Sequence, residues 1–305
     1  MKKFLLIIPI IVIFCMNSTA QTADEHFANA FSKYMAGDKQ GAIDEYTQAI
    51  NLKNNYIDAY YNRAIIYDLM GNYKAAIKDY TAVISINPSF AEAYLNRGMD
   101  YKLMKKFKKS LADLNKVIEI NDSFAIGYFK RGLLHYELKN YEKALEDFKN
   151  VIKYSPSYYQ VYLEIGMTYD KLEEYEAAIF SYSSFINKNP YSAIAYYLRA
   201  YDFELVNKKT QAINDYTNAI KFDTTFSDAY YNRALIYDLM EEYEKAIEDY
   251  TKVIALQPKA VDAWFNRGIA QLNCGRKSMA CSDIKTAATL GDRYAKKFAR
   301  KLKCR

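Results

Sequence analysis

The sequence predicts an all-α fold built from tandem pairs of antiparallel helices. Three observations predict it. The stretch Asp58–Met70 (DAYYNRAIIYDLM) returns with one letter changed as Asp228–Met240 (DAYYNRALIYDLM), 170 residues later. That distance is five periods of 34, and a 34-residue frame runs eight times from Ala23 to Tyr294 without insertion; periods of this size mark repeat architectures. Within the copies, apolar residues recur at helical spacing in two stretches. Breakers fall between the stretches in a chain with only 10 glycines and 5 prolines.

Each copy carries the same internal logic. In 23–56, small Ala30 and Ala42 stand at positions 8 and 20, Gly37 breaks the chain between them, and Tyr46 fills position 24. In 57–90 the set is Tyr60 at position 4, Ala64, Gly71, Ala76 and Tyr80, closed by Pro88. In 91–124 it is Tyr94, Gly98, Ser110 and Leu114; in 125–158, Tyr128, Gly132, Ala144 and Phe148, closed by Pro156. In 159–192 it is Tyr162, Gly166, Ala178 and Tyr182, closed by Pro190; in 193–226, Tyr196, Ala200, Ala212 and Tyr216. In 227–260 it is Tyr230, Ala234, Ala246 and Tyr250, closed by Pro258; in 261–294, Trp264, Gly268, Gly275, Ala280 and Ile284. Two small residues on facing helices let the backbones approach, and the large rings fill the space around them. This explains most of the 31 tyrosines. A last helix is predicted from Asp292 to about Lys303, in the basic segment 292–305.

The aromatic, small, Ala, aromatic, Pro pattern at 34-residue spacing resembles the tetratricopeptide repeat, over nearly all of the chain after residue 20. The resemblance implies a right-handed α-solenoid, a superhelix of helical hairpins with a C-terminal capping helix. One hairpin cannot bury its apolar face alone, so stability comes from stacking. The resemblance also implies a concave groove lined by positions 2, 5, 9, 12 and 13 of each first helix. Position 5 reads Phe27, Tyr61, Leu95, Phe129, Leu163, Tyr197, Tyr231 and Phe265. Position 9 reads Phe31, Ile65, Met99, Leu133, Met167, Tyr201, Leu235 and Ile269. Acidic residues flank this ladder, among them Asp68, Asp238 and Glu137. Such a groove suits an extended or helical peptide with apolar anchors and basic residues. Tetratricopeptide proteins that read chaperone tails need lysine and asparagine at positions 5 and 9. Those positions are apolar here, so that function is not carried over.

Position 7 is usually apolar in the family. Here it is Arg63, Arg97, Arg131, Arg199, Arg233 and Arg267, and in the same copies position 23 is Asp79, Asp113, Asp147, Asp215, Asp249 and Asp283. The fifth copy loses both together, as Ile165 and Ser181. The covariation within one chain predicts a charge-assisted pair between the two helices of six copies.

Lys2 and Lys3, the run FLLIIPIIVIF and the small residues Ser18-Thr19-Ala20 read as a signal peptide cut near Ala20, placing the chain in the periplasm or outside the cell. Cys15 offers a lipoprotein alternative, which Phe14 before it disfavours. The formal charge of +6 becomes +4 without Lys2 and Lys3. The tail supplies seven cations (Arg293, Lys296, Lys297, Arg300, Lys301, Lys303, Arg305) and no acid, leaving −3 on residues 21–292. That body is not a nucleic-acid binder.

The sequence offers no catalytic constellation and implies no cofactor: HExxH, GxSxG and a phosphate-cradling GK[ST] loop are all absent. His26 and His135 stand at ring positions and read as packing residues. Three unclustered cysteines with no nearby histidine do not suit a metal. In an oxidising compartment, antiparallel packing of the last helix would bring Cys304 to Cys281; Cys274–Cys281, or no bridge, are the alternatives. The sequence thus reads as a non-catalytic protein-binding scaffold of the cell envelope. The alternative is an accessory module that contacts anionic lipid or glycan through its basic tail. Neither the partner nor the oligomeric state is written in it.

Overall fold

The computed structural model describes residues 21–304. The predicted signal peptide, Cys15 with it, and Arg305 lie outside the described residues. Those described form seventeen helices and no strand, in two compact halves divided between Ser157 and Tyr158. The first half holds α1 (Ala23–Met35), α2 (Lys39–Leu52), α3 (Ile57–Leu69), α4 (Tyr73–Ile86), α5 (Ala91–Leu103), α6 (Phe107–Ile120), α7 (Ala125–Glu137) and α8 (Tyr141–Tyr154). The second holds α9 (Val161–Lys171), α10 (Tyr175–Lys188), α11 (Ala193–Leu205), α12 (Lys209–Phe222), α13 (Ser227–Leu239), α14 (Tyr243–Leu256), α15 (Val261–Asn273), α16 (Lys277–Thr289) and α17 (Arg293–Lys301). Within each half the helices pair in chain order, and each pair packs on the next.

The first helix starts from a reciprocal cap. The Glu25 amide donates to Thr22 Oγ1 at 3.2 Å, and the Thr22 amide donates to Glu25 Oε2 at 2.8 Å. The turn inside every pair is the same, although only three copies carry glycine there. Position 15 is left-handed in Gly37, Gly71 and Gly275, and equally in Lys105, Lys139, Glu173, Asn207 and Glu241, whose φ angles are 57–61°. A side chain in that region costs roughly 1 kcal/mol or more. The backbone offsets it: the amide of position 16 donates to the carbonyl of position 11 at 2.7–3.0 Å in all eight copies, capping the first helix. Glycine was therefore the visible sign of a turn that other residues also make.

The core sits between the two helices of each pair. Tyr46, Tyr80, Leu114, Phe148, Tyr182, Tyr216, Tyr250 and Ile284 at position 24 are all fully buried. The small residue at position 8 makes their room. A Cβ on Gly166 would stand 2.4 Å from the Tyr182 ring, and one on Gly132 2.6 Å from the Phe148 ring.

Candidate protein-binding surface

The side chains divide into those that hold the repeats together and those left for a partner. The arginines of position 7 belong to the first group. Arg63, Arg97, Arg131, Arg199, Arg233 and Arg267 each donate Nε and Nη2 to the aspartate sixteen residues on, at 2.6–3.2 Å. Their partners Asp79, Asp113, Asp147, Asp215, Asp249 and Asp283 are buried. The sequence reading did not foresee a third contact. Nη1 donates to Thr47, Thr81, Asn115, Ser183, Thr217 or Thr251, sixteen residues back in the preceding repeat, at 2.8–3.0 Å. Each guanidinium also lies over the ring at position 4, from 4.9 Å at Trp264 to 5.8 Å at Tyr230. One arginine thus ties three helices. In the first repeat Glu45 takes the aspartate's place. It binds His26 Nδ1 at 2.6 Å and accepts from Lys33 Nζ at 2.7 Å, and these two bonds hold its carboxyl below the usual range. His26 is thus a hydrogen-bond partner of Glu45 and not only a packing residue, whereas His135 is buried, which lowers its pKa.

The predicted ladder at positions 5 and 9 is mostly used within the fold. Tyr61, Ile65 and Phe129 are buried, which removes them from any binding surface. Phe27, Phe31, Leu95, Met99, Leu133, Leu163, Met167, Tyr197, Tyr231, Leu235, Phe265 and Ile269 are half-buried, and of the ladder only Tyr201 is exposed. The cause is packing on the residue that leads into the next first helix. Ring centroids are 5.2 Å apart for Phe27–Tyr56, 5.0 Å for Tyr61–Phe90 and 4.7 Å for Tyr197–Phe226. The position-5 hydroxyls are engaged as well: Asn96, Asn232 and Asn266 donate to Tyr61, Tyr197 and Tyr231 at 3.0–3.2 Å. The twin stretches share the tyrosine side of this coupling, through Tyr61 and Tyr231, but Asn62, the counterpart of Asn232, makes no such bond, since position 5 of the preceding repeat is Phe27.

The acids of position 12 also face inward. Asp68 is buried, Asp238 accepts from the buried Tyr250 hydroxyl at 2.8 Å, and Asp170 accepts from Tyr182 at 2.5 Å. Asp68 is thus an interior residue and not a groove flank, while Asp170 and Asp238 are half-buried acceptors. Glu137 is exposed and accepts from Lys102 Nζ at 2.9 Å. Asp170 stands close enough to Asp202, which is fully buried, for the two carboxyls to influence one another. Burial, and then the charge of Asp170, push the Asp202 carboxyl far above the usual range. The folded pair keeps a proton that the unfolded chain releases above about pH 4. Stability therefore falls as pH rises beyond that point. We expect Asp202→Asn to melt a few degrees (~1 kcal/mol or more) above the parent near pH 8, with the gap closing towards pH 4. A gap unchanged across that window would refute the shared proton.

What remains in solvent is position 13, on the same helical stripe four residues after position 9. Met35, Leu69 and Leu103 in the first half, and Leu205 and Leu239 in the second, are 44–68% exposed. In the other repeats the position holds Glu137, Lys171 and Asn273. Asp24, Glu92, Asp228 and Asp262 at position 2 are exposed at the opposite end of the first helices. The signal for this row was in the sequence, as large apolar residues recurring every 34. It could not be told from core without knowing which positions the next repeat covers.

Cys281 and Cys304 are joined by a disulfide, and Cys274 is a half-buried free thiol. Among the described residues no group of three or more His, Cys, Asp or Glu is placed to hold a metal, and no helix is long and apolar enough to cross a membrane.

Stacked hairpins of this kind define the α-solenoid class of protein–protein interaction scaffolds. The chain belongs to the tetratricopeptide repeat family. Models of that repeat match residues 57–90, 125–158 and 227–260, residues 91–124 and 159–190, and residues 249–281, together more than half of it. No curated protein matches the sequence. Among solved structures, MamA protein is 30% identical, covers 56% of this chain and 94% of its own, and superposes with a TM-score of 0.53. The C-terminal part of a TPR repeat-containing protein from Cytophaga hutchinsonii is 20% identical, covers 78% and 98%, and reaches 0.68. YrrB, a TPR protein with an unusual peptide-binding site, is 22% identical, covers 60% and 95%, and reaches 0.55. The last two are likenesses of fold alone.

Proposed function

We propose that this chain is an exported, non-catalytic scaffold of the periplasm or cell envelope that binds partner protein segments on the exposed position-13 residues within each half. The observation that carries the reading is that row. Large apolar side chains stand in solvent at one register of successive first helices, which a fold stabilised only by its own contacts does not require. The exposed acids of position 2 suit a partner segment with basic residues beside its apolar anchors. The signal-like N-terminus and the Cys281–Cys304 disulfide support an oxidising compartment outside the cytoplasm.

The test is affinity capture by residues 21–305 from the envelope fraction of the protein's own cells. Two variants run beside it, Met35→Glu/Leu69→Glu/Leu103→Glu and Leu205→Glu/Leu239→Glu. These positions are exposed, so both variants should keep parental helicity. A partner retained by the parent and lost from either variant is the expected result. Identical captures from all three proteins would sink the proposed surface.

A further inference from the structure

The turns inside the third and fifth repeats are built alike and charged oppositely. Positions 15 to 18 read Lys105-Lys106-Phe107-Lys108 in one and Glu173-Glu174-Tyr175-Glu176 in the other, and Lys109 follows the first. The backbones match. Lys105 and Glu173 are left-handed, with φ 57° and 59°. The amides of Lys106 and Glu174 donate to the carbonyls of Tyr101 and Tyr169, at 2.8 and 3.0 Å. The same kind of turn thus presents lysines in one repeat and glutamates in the other, each set around a half-buried ring.

All seven charged side chains are exposed. Among the described residues none of the seven has a counter-ion within ion-pair distance. Such clusters do nothing for the fold, since neighbouring like charges repel. The seventh repeat carries the same acidic letters, Glu241, Glu242 and Glu244. There, Glu242 pairs with Lys245, and Glu244 with Arg276 at 2.6 Å. The acids of the fifth repeat have no such relief.

The fifth repeat also adds an apolar anchor. Phe180 stands one helical turn after Glu176 on α10 and is 71% exposed. The same position holds a polar residue or alanine in the other seven repeats. On the basic side, Lys105, Lys106, Phe107, Lys108 and Lys109 line a shallow recess of about 340 Å³. An exposed ring flanked by acids suits a recess framed by lysines, both in charge and in ring contact.

We propose that these two surfaces bind one another in separate copies of this chain, the lysine turn of one copy docking on the glutamate turn and Phe180 of the next. Each copy carries one surface of each kind. The contact is therefore heterologous and propagates head to tail, without closing as a two-fold dimer. Exposed ion pairs are individually weak and screened by salt, so the association is reversible and strongest at low ionic strength. The proposal does not rest on the position-13 residues and is tested by different ones.

The experiment is sedimentation velocity of residues 21–305 over a range of protein concentrations. We expect the sedimentation coefficient to rise with concentration at low salt and far less at high salt. Lys105→Glu/Lys106→Glu/Lys108→Glu and Glu173→Lys/Glu174→Lys/Glu176→Lys should each weaken self-association by roughly tenfold or more. Both variants should fold, since lysine and glutamate each occupy the left-handed position natively. Mixing them opposes the charges at both surfaces again and should recover the association, which misfolded variants would not do. Phe180→Ser should weaken it several-fold. Glu241→Lys/Glu244→Lys should leave it unchanged; a loss there would move the acidic surface to the seventh repeat and overturn its assignment to the fifth. A parent that stays monomeric at low salt would overturn the proposal. So would a salt effect independent of concentration, or a mixture of the two triple variants that associates no better than each alone.

Discussion

Asp113→Ala should lower the stability of the first half by about 3 kcal/mol. The aspartate is buried on α6 and accepts two hydrogen bonds of 2.8 Å from Arg97 on α5. Its removal leaves a guanidinium whose side chain is only 15% exposed with Thr81 Oγ1 as a remaining partner, at 3.0 Å. A neutral hydroxyl does not compensate a buried cation, and that uncompensated charge is the source of the cost. The same reasoning fixes the control. Replacing both partners, as Arg97→Leu/Asp113→Leu, removes the charge along with its counter-charge and should recover most of the loss. Thermal melting followed by circular dichroism reads both. An Asp113→Ala protein that melts with the parent would show that the pair contributes nothing, whatever its geometry.

Phe129→Glu should unfold the hairpin of α7 and α8, at a cost of about 3–5 kcal/mol. From the sequence alone this residue is a groove position whose replacement blocks a ligand. In the structure it is buried, with its ring centroid 6.0 Å from that of Phe148 across the hairpin. A carboxylate there loses the ring contact and is itself desolvated. The measurement is loss of helical signal and of melting temperature together, before any binding is assayed. Leu103→Glu, at an exposed position of the preceding first helix, is the matched control and should melt within about 0.5 kcal/mol of the parent. If Phe129→Glu keeps the parental melt, the ring is not part of the core and the ladder at position 5 regains its claim as a surface.

These two residues show what could be read in advance. The Arg97–Asp113 pairing was legible because one chain offers six copies and a natural control: Ile165 and Ser181 vary together. Covariation of that kind reports contact directly. Thr81, the third member of the network, was not legible, since threonine is common on helix surfaces and its partner lies in another repeat. Helix boundaries were legible from period and breakers. The left-handed turn at Lys105 or Glu241 was not, because the backbone bond that closes the helix, and not the side chain, selects it. The groove was the hardest. Apolar character at positions 5 and 9 is identical in sequence whether a ring meets solvent or the next repeat, so Tyr61 and Met99 could not be separated from Leu69. Only the stacking of consecutive hairpins decides which row remains outside.

The backward reach of each arginine gives the array a direction. Thr47, Thr81 and Asn115 are synthesised before the arginines that bind them, as are Ser183, Thr217 and Thr251. The arginine of a newly made hairpin therefore closes onto an acceptor that is already present, and this joint asks nothing of the hairpin still to come. Growth from the N-terminus adds finished joints one at a time. A cut that removes the last repeat of either half leaves every earlier guanidinium with its full set of partners, whereas a cut that removes the first orphans the next in line. For these joints damage is asymmetric: a loss at the trailing edge stays there, and one at the leading edge is passed to the next repeat.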